Sequence, residues 1–170
     1  MMRAGIVAVA GMVVAAVGLS IVLPPAPRLI WNASESVPIG LYAVRPIGAL
    51  HADELVVVQP PPPLAAFLSA RGYLPQGVPL LKHIAALPGR TVCRVGRTIT
   101  VDGAALGQAL DRDRRGLTLP QWHGCQRIAQ GAVFLMNARV RDSLDGRYFG
   151  VLPAATIIGR ATPIWTLEEQ

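Results

Sequence analysis

The chain has 170 residues, 52% of them hydrophobic, and a formal net charge of +6 at pH 7. This length suits a single domain with a buried core, and the positive charge suggests nucleic acid or an anionic membrane surface as a partner. The arginines are scattered, however, and the densest group, within residues 111–115, is interleaved with two aspartates. Binding of single strands favours basic stripes with aromatic residues between them, so we expect no nucleic-acid partner.

The N-terminal segment is a long apolar run. From Ala4 to Leu23 its one polar residue is Ser20, and about twenty residues at 1.5 Å each span roughly 30 Å, the thickness of a bilayer core. A cleaved signal peptide would have a shorter apolar region followed by a small-x-small site, whereas Pro24-Pro25-Ala26-Pro27 follows here. We therefore expect residues 1–28 to be a cytoplasmic end and a transmembrane anchor in the lipid bilayer, and residues 29–170 to be one further domain.

The rest of the chain is dominated by predicted strands. A short helix is predicted over 64–71, ended by Gly72, and residues 104–124 are predicted to be a polar loop. Glu168-Glu169-Gln170 is expected to fray. The pattern predicts a mainly β, antiparallel domain or barrel. The strands are predicted at 42–44, 54–58, 79–87, 91–95, 98–101, 125–128, 132–136 and 155–164.

Ser36 lies in the segment Asn32-Ala33-Ser34-Glu35-Ser36-Val37-Pro38-Ile39-Gly40-Leu41-Tyr42. Pro38 fixes its own backbone angle and biases the preceding residue towards an extended shape. Ser36 is therefore expected at an extended-to-turn junction that presents its hydroxyl. The alternative is a solvated loop serine of the kind common near Pro and Gly.

Lys82 is the single lysine among sixteen cationic side chains. It lies in an apolar run, 80–87, closed by Pro88-Gly89, which predicts a buried strand. Alternation places Lys82 on one face with Leu80, Ile84 and Ala86, where a neutral amine is favoured over an ammonium. The alternative is a lysine whose stem packs while its tip reaches water.

Ser36 and Lys82 together could act as a nucleophile and a general base, because a neutral amine can take the hydroxyl proton. A Ser-His-Asp triad is the competing arrangement. His83 adjoins Lys82, but alternation points it to the other face, and His51 and His123 lie in predicted turns.

Cys93 and Cys125 are the two cysteines of the chain. An even pair in an exported chain predicts a disulfide, whose thirty-residue loop would add roughly 3 to 4 kcal/mol of stability. The alternatives are a zinc site with His123, which lacks the usual paired Cys-x-x-Cys, and two plain buried thiols.

The segment Asp142-Ser143-Leu144-Asp145-Gly146-Arg147-Tyr148-Phe149-Gly150 is the third cluster of polar residues. Asp145 could pair with Arg147, and Asp142 with Arg141 or Arg139. The alternative is an exposed turn whose ion pairs contribute little.

Taken in this order behind an N-terminal anchor, the Ser36, Lys82 and Ser143 segments resemble the three conserved blocks of type I signal peptidases, the membrane-anchored serine-lysine proteases. The likeness is greatest to the conjugative-transfer branch called TraF-type, and it extends from the anchor to about Gly159. The resemblance implies an antiparallel β domain on the outer, periplasmic face of the bacterial inner membrane, with a single membrane pass. It also implies a peptidase without cofactor or metal that cleaves the leader peptides of exported precursors.

The resemblance implies a role for each site residue. Ser36 would be the nucleophile and Lys82 the general base, Ser143 would orient the amine, and Asp145 and Arg147 would brace the site. The Ser36 backbone amide and the Ser34 hydroxyl would stabilise the oxyanion. The substrate would be an extended peptide, edge-on to a strand near Lys82, with small residues at −1 and −3.

The chain departs from ordinary signal peptidases at several positions. Val37 stands where methionine is usual, and Pro38 follows the nucleophile by two positions instead of three. The usual Gly-Asp-Asn ahead of the last block is absent, and Gly146 replaces a serine. These departures favour a dedicated substrate, such as a pilin precursor, and in that branch an amine can replace water and cyclise the product. The competing hypotheses are a non-catalytic, membrane-anchored β module of a transfer apparatus and a cytoplasmic, DNA-binding, self-cleaving regulator.

Overall fold

The computed structural model describes residues 2–22 and 28–167. An N-terminal helix, α1, runs over Met2–Val22. Within the two described ranges, no helix combines the length and apolarity that a membrane crossing requires, so the predicted transmembrane helix is not borne out. The predicted proline run at 24–27 and the predicted fraying of 168–170 lie outside the described residues.

A seven-stranded antiparallel sheet forms the larger part of the domain, with the strand order β1-β2-β11-β3-β4-β9-β10. The predicted strands in this sheet are confirmed to within three residues at each end. The edge strands β1 and β10 were not predicted. The strands are β1 Leu29–Asn32, β2 Gly40–Arg45, β3 Leu55–Val58, β4 Leu80–Ala86, β9 Ala132–Leu135, β10 Val151–Pro153 and β11 Ile157–Thr166.

A second, four-stranded antiparallel sheet has the order β7-β6-β5-β8. Its strands are β5 Thr91–Val95, β6 Thr98–Val101, β7 Ala104–Gln108 and β8 Gly124–Arg127. The hairpin of β5 and β6 is confirmed, but the prediction of a loop throughout 104–124 is wrong, because β7 occupies its first five residues. The turn at Asp102-Gly103 is so tight that β7 folds straight back on β6; both residues have positive φ angles, 49° and 84°.

The predicted disulfide is present, with the sulfur atoms of Cys93 and Cys125 bonded. The two cysteines are direct partners in the register of β5 and β8, so the bond staples neighbouring strands of the second sheet. A zinc site and a pair of free thiols are therefore both wrong. No group of three or more potential metal-ligating side chains occurs in the described parts of the chain.

Two further helices flank the larger sheet. Helix α2, Pro62–Ala70, begins within the proline run, where a missing N–H costs nothing in the first turn, and it confirms the helix predicted at 64–71. Helix α3 covers only Gly146–Phe149, and the Asp145 carboxylate accepts from the Arg147 N–H at its N-terminus. The predicted fold class, mainly antiparallel β with a short helix after β3, is confirmed.

The core is built where the sheets and loops meet. One apolar cluster joins β3, β4, β9 and β11 around Val56, Ile84 and Val133, and a second joins β4, β5, β6 and β9 around Val92 and Phe134. Strands β4 and β9 contribute to both clusters. They therefore form the rigid centre of the domain, and Lys82 lies on one of them.

Candidate active site

The turn over residues 33–39 connects β1 to β2 and carries Ser36; it is called the nucleophile turn after the role predicted for Ser36. The side chain of Asn32, the last residue of β1, lies against this turn. Its Nδ2 donates to the carbonyls of Ser34 at 2.7 Å and Pro38 at 3.1 Å. From the other side, the buried Tyr42 hydroxyl donates to the Pro38 carbonyl at 2.6 Å. The turn is thus held by side chains from both adjoining strands, which leaves Ser36 half-buried with its hydroxyl presented.

The hydroxyls of Ser34 and Ser36 lie 3.0 Å apart. The Asn32 amide points its nitrogen at carbonyls, so its Oδ1 faces Ser34 and accepts from both the Ser34 N–H and the Ser34 Oγ at 3.2 and 2.9 Å. The Ser34 proton is used in that bond, and a hydroxyl has only one. The Ser36 hydroxyl must therefore be the donor to Ser34 in this resting arrangement.

Lys82 lies in the middle of β4, opposite Val56 of β3, and is only 4% exposed. Its Nζ donates to Ser143 Oγ at 2.9 Å, so the alternative of an amine reaching bulk water is wrong. Burial lowers the pKa of Lys82 to about 8; Asp145 opposes this effect, and Arg147 adds to it. An amine with that pKa is about one-tenth neutral at pH 7 and mostly neutral at pH 9.

The segment 142–150, in the region after β9, is buried or partly buried throughout and is not an exposed turn, which corrects the alternative given for it. Asp145 and Arg147 form an ion pair of 2.8 Å with both side chains almost fully enclosed. Arg147 also donates to the carbonyls of Asn137, Val140 and Arg141 at 3.0, 2.6 and 2.9 Å. Such a pair tolerates burial only when its remaining hydrogen-bonding groups are satisfied, as they are here. The pair holds the loop that presents Ser143 to Lys82.

A cleft of about 490 Å³ is lined by Ser36, Lys82 and Ser143 together with Ser34. In the described part of the chain, no hydrogen bond joins Ser36 Oγ to Lys82 Nζ: the first is bonded to Ser34 and the second to Ser143. The predicted nucleophile and base therefore share one cleft, but each has a serine hydroxyl as its present partner.

Arg114 crosses the mouth of this cleft. Its guanidinium pairs with Asp142, and at 3.4 Å with Glu35, the residues immediately before Ser143 and Ser36. The predicted pairing of Asp142 with Arg141 or Arg139 is therefore wrong. Arg114 and Glu35 are both more than 70% exposed at their side chains, so this contact is weak and readily broken.

Asn137 is a site residue that the sequence interpretation missed. It lies two residues past the end of β9, is 3% exposed, and its Nδ2 donates to the carbonyls of Ser36 at 2.8 Å and Leu81 at 3.2 Å. Its Oδ1 accepts from the backbone N–H of His83 at 3.0 Å. One sequence feature could have identified Asn137: its amide side chain comes immediately after the apolar run 132–136, where a buried polar group needs hydrogen-bond partners.

The histidines do not form a triad with Ser36. His83 Nδ1 lies 3.1 Å from Asn137 Oδ1, and because that oxygen can only accept, Nδ1 must carry a proton. His51 and His123 are both exposed and are not among the residues that line the cleft.

Comparison with known proteins identifies the family. The model for "Signal peptidase, peptidase S26" matches residues 1–166, and the chain belongs to this family. The chain is 33% identical over 150 residues to a conjugal transfer protein TraF from Agrobacterium fabrum, an alignment covering 81% of this chain and 82% of the relative. It is 29% identical over 146 residues to a plasmid transfer protein TraF from Escherichia coli, covering 79% and 81%. Within the family, therefore, the chain resembles the TraF proteins, as predicted.

Two further matches are more distant. A probable signal peptidase I-1 from Synechocystis is 32% identical over 111 residues, covering 65% of this chain and 52% of that protein. The crystal structure of a signal peptidase I from Enterococcus faecalis aligns with 20% identity and a TM-score of 0.40, over 68% of this chain and 99% of that one.

Proposed function

We propose that the chain is a serine endopeptidase in which Ser36 is the nucleophile and Lys82 the general base. The observation that carries the proposal is the state of Lys82: one buried amine, with its pKa lowered to about 8, in the cleft that Ser36 also lines. A lysine placed there for stability alone would be unexpected, because its burial is costly.

The reaction begins when Ser36 Oγ comes within hydrogen-bonding distance of Lys82 Nζ. The neutral Nζ of Lys82 takes the Ser36 proton as Oγ bonds to the scissile carbonyl carbon. The Ser36 N–H, with Ser34 Oγ, donates to the resulting oxyanion. As the carbon–nitrogen bond breaks, the Lys82 ammonium returns the proton to the leaving amine. Water activated by the same amine then hydrolyses the acyl-enzyme ester.

The peptide substrate binds in extended form along β4. One edge of β4 pairs with β3 from Leu80 to His83, whereas among the described residues β9 pairs with β4 only from Ile84 onward. The Leu81 carbonyl and the His83 N–H of this β9-side edge are already bonded to Asn137, so an added strand would pair with the edge at the beginning of β4, from Leu81 towards Leu80. Small residues at −1 and −3 fit the family, and the TraF relatives suggest a pilin or another conjugal-transfer precursor.

We further propose that residues 29–170 form the catalytic domain, on the periplasmic side of the inner membrane. Membrane fractionation with protease protection tests this placement. A chain recovered in the soluble fraction would contradict it and favour the cytoplasmic alternative.

The decisive experiment measures precursor cleavage by the full-length chain and by S36A and K82R. Arginine keeps the charge but cannot act as a base, so both variants should lose at least about 10³-fold in kcat/KM. S69A is the matched control, since Ser69 lies on α2 and does not line the cleft. Normal cleavage by S36A and K82R would refute the dyad, and an unmodified chain that does not cleave the precursor would favour the non-catalytic β module.

The same assay identifies the acceptor. Hydrolysis yields a linear mature product, while attack by the amine of the same peptide yields a cyclic product lighter by one water. Mass spectrometry of the product of the unmodified chain separates the two.

A further inference from the structure

Asn137 is bonded through every polar group it has. Besides the four side-chain bonds already described, its backbone N–H donates to Asp145 Oδ2 at 3.0 Å. Its carbonyl accepts from Arg147 at 3.0 Å and from the Val140 N–H at 3.0 Å. A buried amide with this many fixed partners has one orientation, because a flip would oppose its oxygen to two carbonyls.

The side chain of Asn137 also takes the place of a paired strand at the point where the pairing of β4 with β9 ends. The last backbone hydrogen bond between these two segments runs from the Met136 N–H, just after β9, to the His83 carbonyl of β4. Beyond it, the Asn137 amide accepts from the His83 N–H and donates to the Leu81 carbonyl, as a partner peptide would. The backbone on both sides of Lys82 is thereby fixed by one side chain.

The second hydrogen of the same amide nitrogen is donated to the Ser36 carbonyl. This bond fixes the peptide that follows Ser36 and hence the direction in which its side chain leaves the backbone. One planar amide thus connects the nucleophile turn to the lysine strand, while its own backbone is held by the Asp145–Arg147 pair.

We propose that Asn137 is a positioning residue whose side-chain amide sets the separation and orientation of Ser36 relative to Lys82. This inference rests on the proposed function. The inference extends the proposed function, because the Asp145–Arg147 pair would then position Ser36 through Asn137, in addition to positioning Lys82 through Ser143. Misplacement of reacting groups by about 1 Å can cost 10²-fold in rate, so the amide should affect kcat far more than KM.

N137D is the key variant because it keeps the size of the side chain and half of its contacts. One carboxylate oxygen still accepts from the His83 N–H, but the other faces the Ser36 and Leu81 carbonyls without a hydrogen to donate. N137L removes all four side-chain bonds. V133A is the control: Val133 is a fully buried core residue on β9, the strand that precedes Asn137, so this variant loses stability without touching the site.

The experiment combines kinetics on an exported precursor with hydrogen exchange of the full-length chain below its melting temperature. In N137D, kcat should fall about 10²-fold with KM within about threefold, and amides of the nucleophile turn should exchange faster while the His83 amide stays protected. In N137L the His83 amide should also lose protection, whereas that of Ile84, bonded to the Glu54 carbonyl on the opposite edge, should not change. V133A should keep its kcat.

Two results would overturn the inference. One is unchanged exchange in the nucleophile turn of N137D, and the other is faster exchange there with kcat retained. An S36A chain that still cleaves would instead refute the proposed function. The exchange measurements would then still test whether the Asn137 amide holds the nucleophile turn in place.

Discussion

Replacing Lys82 by methionine should stabilise the protein at neutral pH while abolishing peptidase activity. Each tenfold change in proton affinity is worth about 1.4 kcal/mol, so lowering the pKa from 10.5 to about 8 corresponds to about 3 kcal/mol. Below pH 8 the amine is protonated in both the folded and unfolded states, and the folded state bears the whole penalty. Methionine removes that penalty but loses the hydrogen bond to Ser143, worth about 1 kcal/mol. The expected net gain at pH 7 is about 2 kcal/mol.

The difference in stability between K82M and the unmodified protein depends on pH. Between about pH 8 and 10.5 the folded chain releases the Lys82 proton before the unfolded chain does, so the stability of the unmodified protein rises with pH. Above 10.5 both states hold a neutral amine and the penalty is gone. The advantage of K82M should therefore disappear by about pH 10, where the unmodified protein keeps its bond to Ser143.

The assay is equilibrium unfolding in denaturant at several pH values from 7 to 10.5, for the unmodified protein, K82M and K82R. Burial raises the pKa of Tyr42 and Tyr148, but all three chains share those groups, so the difference between chains isolates residue 82. K82R keeps the buried charge and should gain nothing. Parallel pH profiles for the unmodified protein and K82M would refute the reasoning, as would a K82M chain less stable than the unmodified protein at pH 7.

Further outcomes follow from other contacts. Because the chain has a single lysine, protein labelled with ¹³C-lysine should give one side-chain resonance titrating near pH 8; a midpoint near 10.5 would contradict the burial argument. The double variant C93S/C125S should lose about 3 kcal/mol of stability, as expected for closure of a loop of this length, yet retain its kcat, because the bond lies in the second sheet. G146S, which restores the residue usual in signal peptidases, should lower stability by roughly 1 to 3 kcal/mol: a Cβ there would lie 2.6 Å from the Phe134 ring and 2.7 Å from the Leu135 carbonyl.

The inner strands of the larger sheet and helix α2 were predictable because their apolar runs are bounded by Pro and Gly, whereas the edge strands β1 and β10 and the short helix α3 were not predicted. The loop prediction over 104–124 failed at β7, since Ala104–Gln108 has little apolar periodicity and is mostly exposed on the outer side of the second sheet. Its strand conformation comes from pairing with β6. Long-range pairing of this kind leaves almost no trace in the local sequence.

The site was predictable to the extent that its chemistry is unusual. A lone lysine in an apolar run and a serine before a proline turn could be recognised from the residues, and the structure places both in the lining of one cleft. Asn137 and Asn32 could not be recognised in the same way. An asparagine is an ordinary loop residue until the backbone groups that it bonds are known, and those belong to segments about a hundred residues away along the chain in one case.

Asn32 and Asn137 together explain why the resting site is preorganised but not engaged. Asn137 holds the Ser36 backbone and Asn32 accepts the Ser34 proton, which leaves the Ser36 proton directed at Ser34 and the Lys82 amine at Ser143. A substrate carbonyl placed between Ser34 and the Ser36 N–H would recruit the Ser34 hydroxyl as a donor. Ser34 would then release Asn32, and the Ser36 proton could turn towards Lys82. Engagement therefore begins with rotation of these two hydroxyls, and Ser36 Oγ and Lys82 Nζ must then approach to hydrogen-bonding distance, because each has a different partner in the resting site.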